Sequence, residues 1–259
     1  MSPSVCWGQT TLSSGTIDFL EVSYVTGPNP GWVVQIDDVD NSQLYNPTFS
    51  SLLGRFVFDA PGGANFNIAG PQHLFVRPAS DAIWGFIGVG GGQLFRATPQ
   101  NGSPATQLMM GIASLSNVFQ NHQLNITMSV TGITNPGQFS YYINDNSLNS
   151  AVGTSATPIF STLTGLNSFT FDATANFYNM AFSAPGVYNI DFQFSGTLTT
   201  GGTVTSEFYR YTFDVAFFAV PEPATWALLG VSASAVIVGA WYARRRRRLA
   251  LDAPVSERT

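Results

Sequence analysis

The stretch VYNIDFQFSG, residues 187–196, decides the fold class. Apolar side chains at Tyr188, Ile190, Phe192 and Phe194 alternate with polar ones throughout this stretch. A period of two is that of a β-strand that buries one face and leaves the other in solvent. The stretch therefore predicts a half-buried strand, and the same pattern can be followed outward along the chain.

Strand patterns fill the body of the chain up to about residue 218. FYRYTFDVAF at 208–217 repeats the alternation, and the pair Gly201-Gly202 before it is a hairpin signal. Further stretches with strand character are TIDFLEVSYV at 16–25, GWVVQIDD at 31–38, GRFVFDA at 54–60, HLFVRP at 73–78, AIWGFIGVG at 82–90, QLNITMSVTGI at 123–133 and SFTFDATA at 168–175. Many short strands with regular turns and no helical period are typical of an all-β, antiparallel β-sandwich. We predict one such domain over residues 15–218, after an N-terminal segment at 1–14.

Composition narrows the class of protein. Charged residues make up 10% of the chain, lysine is absent, and the formal net charge is −5. Soluble domains carry about 25% charged residues. An acidic body lacks the basic surface that nucleic-acid binding requires. The single cysteine, Cys6, cannot form a disulfide within the chain.

The region near the C-terminus has the pattern of a membrane-spanning helix. Residues 224–243 carry no charge, and aromatic residues lie near both ends, at Trp226, Trp241 and Tyr242. Twenty helical residues rise about 30 Å, the thickness of a bilayer core. A basic cluster follows at Arg244, Arg245, Arg246, Arg247 and Arg248. Basic residues stay in the cytoplasm, so we expect a cytoplasmic tail at 251–259 and the body outside. The alternative is a buried core helix followed by a solvated basic tail.

A short motif precedes the apolar segment. It consists of Pro221, Glu222 and Pro223. The two prolines favour an extended backbone, which is accessible to an enzyme that binds extended peptides in a groove. Together with the apolar segment and the arginines, residues 219–250 resemble the PEP-CTERM sorting signal of Gram-negative bacteria. The resemblance implies recognition by exosortase and a single-pass inner-membrane intermediate with its N-terminus outside. It further implies release to the cell surface or extracellular matrix. Residues 1–14 lack the basic and apolar regions of a signal peptide, so we expect the export leader to be missing from this chain.

The body carries a second resemblance. FSAPGVYNIDFQFSGTLTTGGTVTSEFYRYTFDV at 182–215 and the opening stretch at 15–38 resemble the choice-of-anchor M domain of actinobacterial surface-anchored proteins. Where that family places histidines, this sequence has Ala175, Phe177 and Thr16, whereas Asp18, Asn179 and Phe182 fit the family pattern. The resemblance therefore implies a surface-located sandwich more than a binding site.

One candidate metal site lies in IDDVDNSQLYN at 36–46. Asp37, Asp38, Asp40 and Asn41 offer four oxygen-bearing side chains in five residues, which suits calcium. The alternative is an Asp- and Asn-rich turn after a strand. We expect no other cofactor.

Residues that would support catalysis are sparse. His73 and His122 have no partner at metal-ligand spacing, and we expect both to be surface or edge-strand residues. Acidic side chains on predicted polar faces could in principle hydrolyse glycosidic bonds: Asp172, Asp191, Glu207 and Asp214. Solvated surface charge is the simpler interpretation, so we predict that the protein is not an enzyme.

The sequence as a whole predicts a structural or adhesive protein of the envelope or biofilm. Its expected partners are exosortase, the membrane and extracellular polysaccharide, and nucleic acid is not among them. The alternatives are a glycan-active hydrolase or lyase, a glycan-binding module on the same sandwich, and an unprocessed single-pass protein with a ligand-binding ectodomain. If the protein binds glycans, we expect the aromatic rings beside turns to stack on the sugars; they are Trp32, Tyr141 and Tyr142.

Overall fold

The computed structural model describes residues 10–58, 64–100, 103–114, 117–129, 136–143, 156–172 and 176–216. All of them belong to the first of the two units into which the chain divides, Met1–Phe217. The predicted membrane span at 224–243, the sorting motif, the arginine cluster and the tail lie outside the described residues. Among the residues that are described, no helix is long and apolar enough to cross a bilayer.

Strands dominate the described part of the chain. They are β1 (Thr10–Leu12), β2 (Gly15–Val25), β3 (Gly31–Asp38), β4 (Gln43–Tyr45), β5 (Thr48–Ser50), β6 (Arg55–Val57), β7 (Ala64–Asn67), β8 (Leu74–Val76), β9 (Leu94–Thr98), β10 (Leu108–Ser114), β11 (Gln123–Ser129), β12 (Phe139–Ile143), β13 (Thr157–Ser161), β14 (Ser168–Asp172), β15 (Asn176–Phe182), β16 (Gly186–Thr197), β17 (Thr203–Thr205) and β18 (Tyr209–Val215). The helical elements are α1 (Trp84–Ile87) and two single 3-10 turns, Pro71–His73 and Gln120–His122.

The strands form two sheets. The first sheet has the order β1-β7-β18-β16-β11-β14, with β17 beside β16 and the β5–β6 hairpin beside β18. The second sheet has the order β13-β12-β15-β10-β2-β3-β4, with β8 and β9 joined to β15. The stretch that predicted the fold lies in β16, in the middle of the first sheet.

The two sheets pack face to face over a core rich in aromatic rings. Tyr188, Ile190, Phe192 and Phe194 are all fully buried, as their alternation predicted. Phe19 of the second sheet lies 5.9 Å from Phe192 and 5.8 Å from Tyr211 of the first sheet, in edge-to-face geometry. Such pairs contribute about 0.5–1.5 kcal/mol each beyond the area they bury. The arrangement is that of a β-sandwich, consistent with the prediction.

The prediction of purely antiparallel sheets is wrong. Parallel pairing joins β1 to β7, β2 to β10, and β18 to both β6 and β7. Parallel neighbours require a long connection, whereas antiparallel neighbours need only a tight turn. Alternation identifies a strand and its buried face, but it carries no information on the direction of the neighbouring strand. The sheets are therefore mixed.

A second, smaller core covers the outer face of the second sheet. The stretch AIWGFIGVG, which we predicted as a strand, instead contains α1, which ends at Gly88 with φ of 80°. Side chains of this segment pack on Phe95 and Tyr142: they are Ile83, Phe86 and Ile87. The helix was missed because α1 is a single turn of four residues, too short to show a helical period in the sequence.

The predicted hairpin at Gly201-Gly202 is confirmed. Strand β16 pairs antiparallel with β17, and Leu198 N–H donates to the carbonyl of Gly202 at 2.9 Å. Both glycines have positive φ, 91° and 88°, a region that other residues rarely adopt. The turn is longer than the two residues that the pattern suggested, because the last paired residues are Thr197 and Thr203.

Candidate functional site

An open pocket of about 360 Å³ lies beside the edge strand β1 of the first sheet and the β3–β4 hairpin of the second. Its lining consists of Thr10, Thr11, Leu12, Ser13, Ser14, Asp38, Asn41, Gln43 and Tyr45. All of these except Leu12 carry a hydrogen-bonding side chain. The pocket is therefore a polar recess at an opening of the sandwich.

Strand register accounts for one wall of the pocket. Asp38 pairs with Gln43, and Ile36 pairs with Tyr45, across the β3–β4 hairpin. Directly opposed residues of an antiparallel pair lie on the same face of the sheet. Ile36 is fully buried and Tyr45 is 5% exposed, so this face is the inner one. Asp38 therefore sits where the inner face of the second sheet reaches solvent.

Asp38 and Asp40 are engaged within the turn that joins β3 to β4. The carboxylate of Asp38 accepts hydrogen bonds from the backbone N–H and the side-chain Nδ2 of Asn41, at 3.2 and 2.9 Å. Asp40 accepts from the backbone N–H of Thr16 at 2.8 Å, which ties the turn to β2. These contacts are those of an Asp- and Asn-rich turn, the alternative that the sequence left open.

The three carboxylates predicted to share a calcium ion are not brought together. Asp37 and Asp38 are adjacent in a strand, so their side chains leave on opposite faces of the sheet. Asp38 and Asp40 both approach Gly15: a Cβ at that position would lie 3.8 Å from Asp38 Oδ1 and 3.5 Å from Asp40 Oδ2. Within the described ranges, no three His, Cys, Asp or Glu side chains are arranged to hold a metal ion.

Asp37 instead joins an acidic cluster that the sequence analysis missed. Asp37 pairs with Asp18 on β2, and a register shift places Glu21 on the same outer face, opposite Gln35. Asp18 Oδ1 and Glu21 Oε2 are enclosed and find no hydrogen-bond partner among the described residues. The signal was present in the sequence, because the apolar pair between Asp18 and Glu21 interrupts the alternation, as a β-bulge does.

Burial and mutual repulsion make this cluster hard to ionise. Burial, and then the charge of Asp37, raise the pKa of Asp18 from 3.8 to about 6. Burial, and then Asp37 and Asp18, raise the pKa of Glu21. Burial, and then Asp38, raise the pKa of Asp37. The cluster is therefore a source of pH-dependent stability.

Of the acids considered for glycoside hydrolysis, Asp191 is not paired with Asp172 or Asp214. Asp191 is fully buried and accepts from Arg210 Nε and Nη2 at 2.8 and 2.9 Å, with Arg55 as a second partner. Asp172 pairs with Gln123 of β11, and Asp191 pairs with Ser129 of the same strand. These two partners are six residues apart, which is about 20 Å at roughly 3.3 Å per residue. Asp214 lies opposite Val187, four residues along β16 from Asp191, about 13 Å by the same measure. Catalytic carboxylate pairs stand about 5–9.5 Å apart.

The histidines divide between interior and surface. His73 is fully buried, and its ring nitrogens lie 3.0 Å from the carbonyl oxygen of Ala97 and 3.5 Å from that of Ser13. The expectation that His73 lies at the surface or in an edge strand is therefore wrong. Burial is the largest influence on its ring and lowers its pKa. His122 is exposed, with φ of 55°.

The aromatic residues proposed for sugar stacking are not available as exposed platforms. Tyr141 and Tyr142 are fully buried, so that prediction is wrong for both. Trp32 is half-buried, with its ring stacked on Phe119 at 5.5 Å and edge-on to Tyr24 at 5.2 Å. Tyr141 is buried in the main core and Tyr142 in the second, smaller core, because adjacent strand residues face opposite sides of the sheet.

The remaining candidate site is the C-terminal motif. A family model described as the PEP-CTERM protein-sorting motif matches residues 219–248. This segment is a PEP-CTERM sorting motif. It includes Pro221, Glu222 and Pro223, the apolar stretch and the arginines, all of which lie outside the described residues. The motif implies an exported protein that transits the membrane and is processed by exosortase.

The match to the sorting motif gives no information on the β-sandwich body of the chain. No curated protein and no solved structure matches the chain. The match to the sorting motif covers residues 219–248 and gives no support to the resemblance between the body and the choice-of-anchor M domain. What the body does must therefore be argued from its own geometry.

Proposed function

We propose that this protein is a non-enzymatic structural or adhesive component of the bacterial cell surface or extracellular matrix. The observation that carries the proposal is the sorting motif at 219–248 directly after a β-sandwich body. Val215 ends the last described strand, and Pro221, the first residue of the Pro-Glu-Pro sequence, follows six positions later. Cleavage at the motif would leave the body as nearly the whole mature product.

The positions of the carboxylates and of His73 in the body support a role without catalysis. Asp191 is neutralised by two arginines, and Asp172 and Asp214 lie too far from it along the sheet for acid–base cooperation. His73 is directed at backbone carbonyl groups in the interior. Asp191 thus joins neighbouring strands through its arginines, whereas Asp18, Glu21 and Asp37 crowd one another.

The test begins with the intact mass of the protein from its native host. We expect the wild-type chain to be recovered from the surface or medium with a mass that ends near residue 223. A variant with Pro221, Glu222 and Pro223 replaced by alanine should keep the span and remain in the membrane. The matched control is Glu207→Ala, because Glu207 is exposed and outside the motif, and it should be processed like the wild type. A wild-type mass that includes residues 244–248 would overturn the sorting proposal.

The role at the surface needs a second measurement. A strain that lacks the gene should lose cell aggregation or biofilm mass, and adding purified mature protein should restore it. Incubation of the protein with the host's extracellular polysaccharide should create no new reducing or unsaturated sugar ends. Release of such ends at a steady rate would favour the glycan-active enzyme instead.

A further inference from the structure

We propose that the polar pocket between β1 and the β3–β4 hairpin binds an uncharged sugar unit of an extracellular glycan. The identity of the glycan rests on the proposed function at the cell surface, but binding itself depends on the pocket alone. The pocket volume of about 360 Å³ lies near the lower end of the roughly 300–1,000 Å³ range of ligand sites. That size suits a short saccharide rather than a large cofactor.

The lining matches the chemistry of a polyhydroxylated ligand. Thr10 and Ser13 bring hydroxyl groups from β1 and the residue after it, and Asn41 and Gln43 bring exposed amides from the β3–β4 hairpin. Hydroxyl groups and side-chain amides can both donate and accept hydrogen bonds, and so can the hydroxyl groups of a sugar. A ligand with hydroxyls on successive carbons can satisfy several of these groups together.

Charge excludes the main competing ligand classes. Asp38 is the one charged side chain in the lining, and it is 3% exposed. Phosphate, sulfate or a uronate would meet this carboxylate with no basic residue in the lining to compensate it. The described residues hold no group of three His, Cys, Asp or Glu side chains arranged for a metal ion, and the apolar part of the lining is limited to Leu12 and the ring of Tyr45. Of anionic and neutral ligands, a neutral, hydroxyl-rich molecule is therefore the class that the lining fits.

Asp38 would be the anchor of the site. Its two oxygens accept two hydrogen bonds from Asn41, whereas a carboxylate has about four lone-pair positions. The others can accept from sugar hydroxyls, and bonds to an ionised acceptor are about twice as strong as neutral ones. Tyr45, 5% exposed, lies two residues from Gln43 on the same strand face and forms the floor beside Asp38.

The wall of the pocket is fixed before any ligand arrives. Asn41 holds the carboxylate of Asp38, and Asp40 ties the turn to the backbone of Thr16 on β2. Pre-ordered groups avoid the entropy loss of ordering on binding. An open and polar recess still binds weakly, so we expect a Kd of about 1 mM. Display of many copies on one surface would raise the effective affinity for a polymer by about 10²–10⁴.

The experiment is a titration of the purified mature protein by isothermal calorimetry and NMR. The probes are methyl glycosides of glucose, galactose, mannose and N-acetylglucosamine, with methyl glucuronide as the charged counterpart. At least one neutral glycoside should bind saturably, and the glucuronide that matches it should bind at least fivefold more weakly because of Asp38. Absence of saturable binding up to 50-fold above about 1 mM, or preference for the glucuronide, overturns the proposal.

Variants locate the binding. The double variant Thr10→Val, Gln43→Met keeps side-chain volume and removes polar groups from the two walls, and it should weaken binding at least fivefold. The control Thr48→Val removes an exposed hydroxyl from β5, outside the pocket lining, and should leave binding unchanged. Equal affinity in both variants, with native circular dichroism, overturns the assignment. The cell-surface role can fail in the mass measurement while sugar binding persists, so the two proposals are tested separately.

Discussion

Replacing Asp18 by asparagine should stabilise the protein at neutral pH and have little effect in acid. Asp18 lies opposite Asp37 on the neighbouring strand, with Glu21 on the same face. Its Oδ1 is enclosed without a hydrogen-bond partner in the part of the chain that the structure describes. An amide of the same shape would remove one of the three carboxylates from this cluster and keep the packing of β2.

The sign and size follow from the pKa of Asp18. Burial, then Asp37, raise that pKa from 3.8 to about 6, so the folded state binds more protons than the unfolded state between those values. The contribution of Asp18 to folding stability is therefore greatest below about pH 4 and is lost as pH rises through 6. Each pKa unit is worth about 1.4 kcal/mol, which gives about 3 kcal/mol for the full change. Asp18 keeps some solvent contact, and screening reduces the expected gain from the variant to about 1–2 kcal/mol at pH 7.5.

The assay is equilibrium urea unfolding of the wild type and of Asp18→Asn at intervals from pH 3.5 to 8. The difference in unfolding free energy should grow from near zero below pH 4 to its full value above pH 6.5. The matched control is Asp214→Asn, an exposed acid on the first sheet, whose profile should follow the wild type. A variant whose stability differs from the wild type by the same amount at every pH would refute the reasoning, since the effect would then be one of packing and not of charge.

Three further substitutions probe the sandwich itself, each measured by urea unfolding at pH 7. Gly196→Ala places a Cβ against the ring of Phe119 and should cost about 1–3 kcal/mol; unchanged stability would mean that this ring is free to move. Asp191→Ala leaves two guanidinium groups without their buried partner and should cost about 3 kcal/mol, and a neutral result would contradict the ion-pair assignment. Tyr188→Phe removes the hydroxyl that donates to the carbonyl of Ala184 at 2.8 Å and should cost about 1 kcal/mol, unless water replaces the bond without loss.

Most strand assignments could be made from the sequence because alternation is a local property. The long strands β2, β3, β16 and β18 lie where the pattern predicted, and the rings of β16 fill the core. The stretch around α1 was misassigned for the opposite reason. Helix α1 spans only four residues, about one turn, so the period that separates helix from strand cannot appear in the sequence.

The candidate site shows the limit of local patterns most clearly. Asp37, Asp38 and Asp40 are close in sequence, which suggested one calcium site, but the strand sends Asp37 to the outer face and leaves Asp38 at the pocket. Asp37 meets Asp18 across two strands because of the pairing register. The opposite wall of the pocket comes from β1, which belongs to the other sheet.

The sequence by itself determined the β class, the buried face of the main strands and the PEP-CTERM address at 219–248, because each is written in consecutive residues. Tertiary structure alone decided which strands are neighbours, which of them run parallel, and which carboxylates share a face. Strand pairing joins residues that are far apart in the chain, and its register is set by the packing of whole faces rather than by any one stretch. The polar pocket and the acidic cluster, where this protein's chemistry is concentrated, both depend on that register.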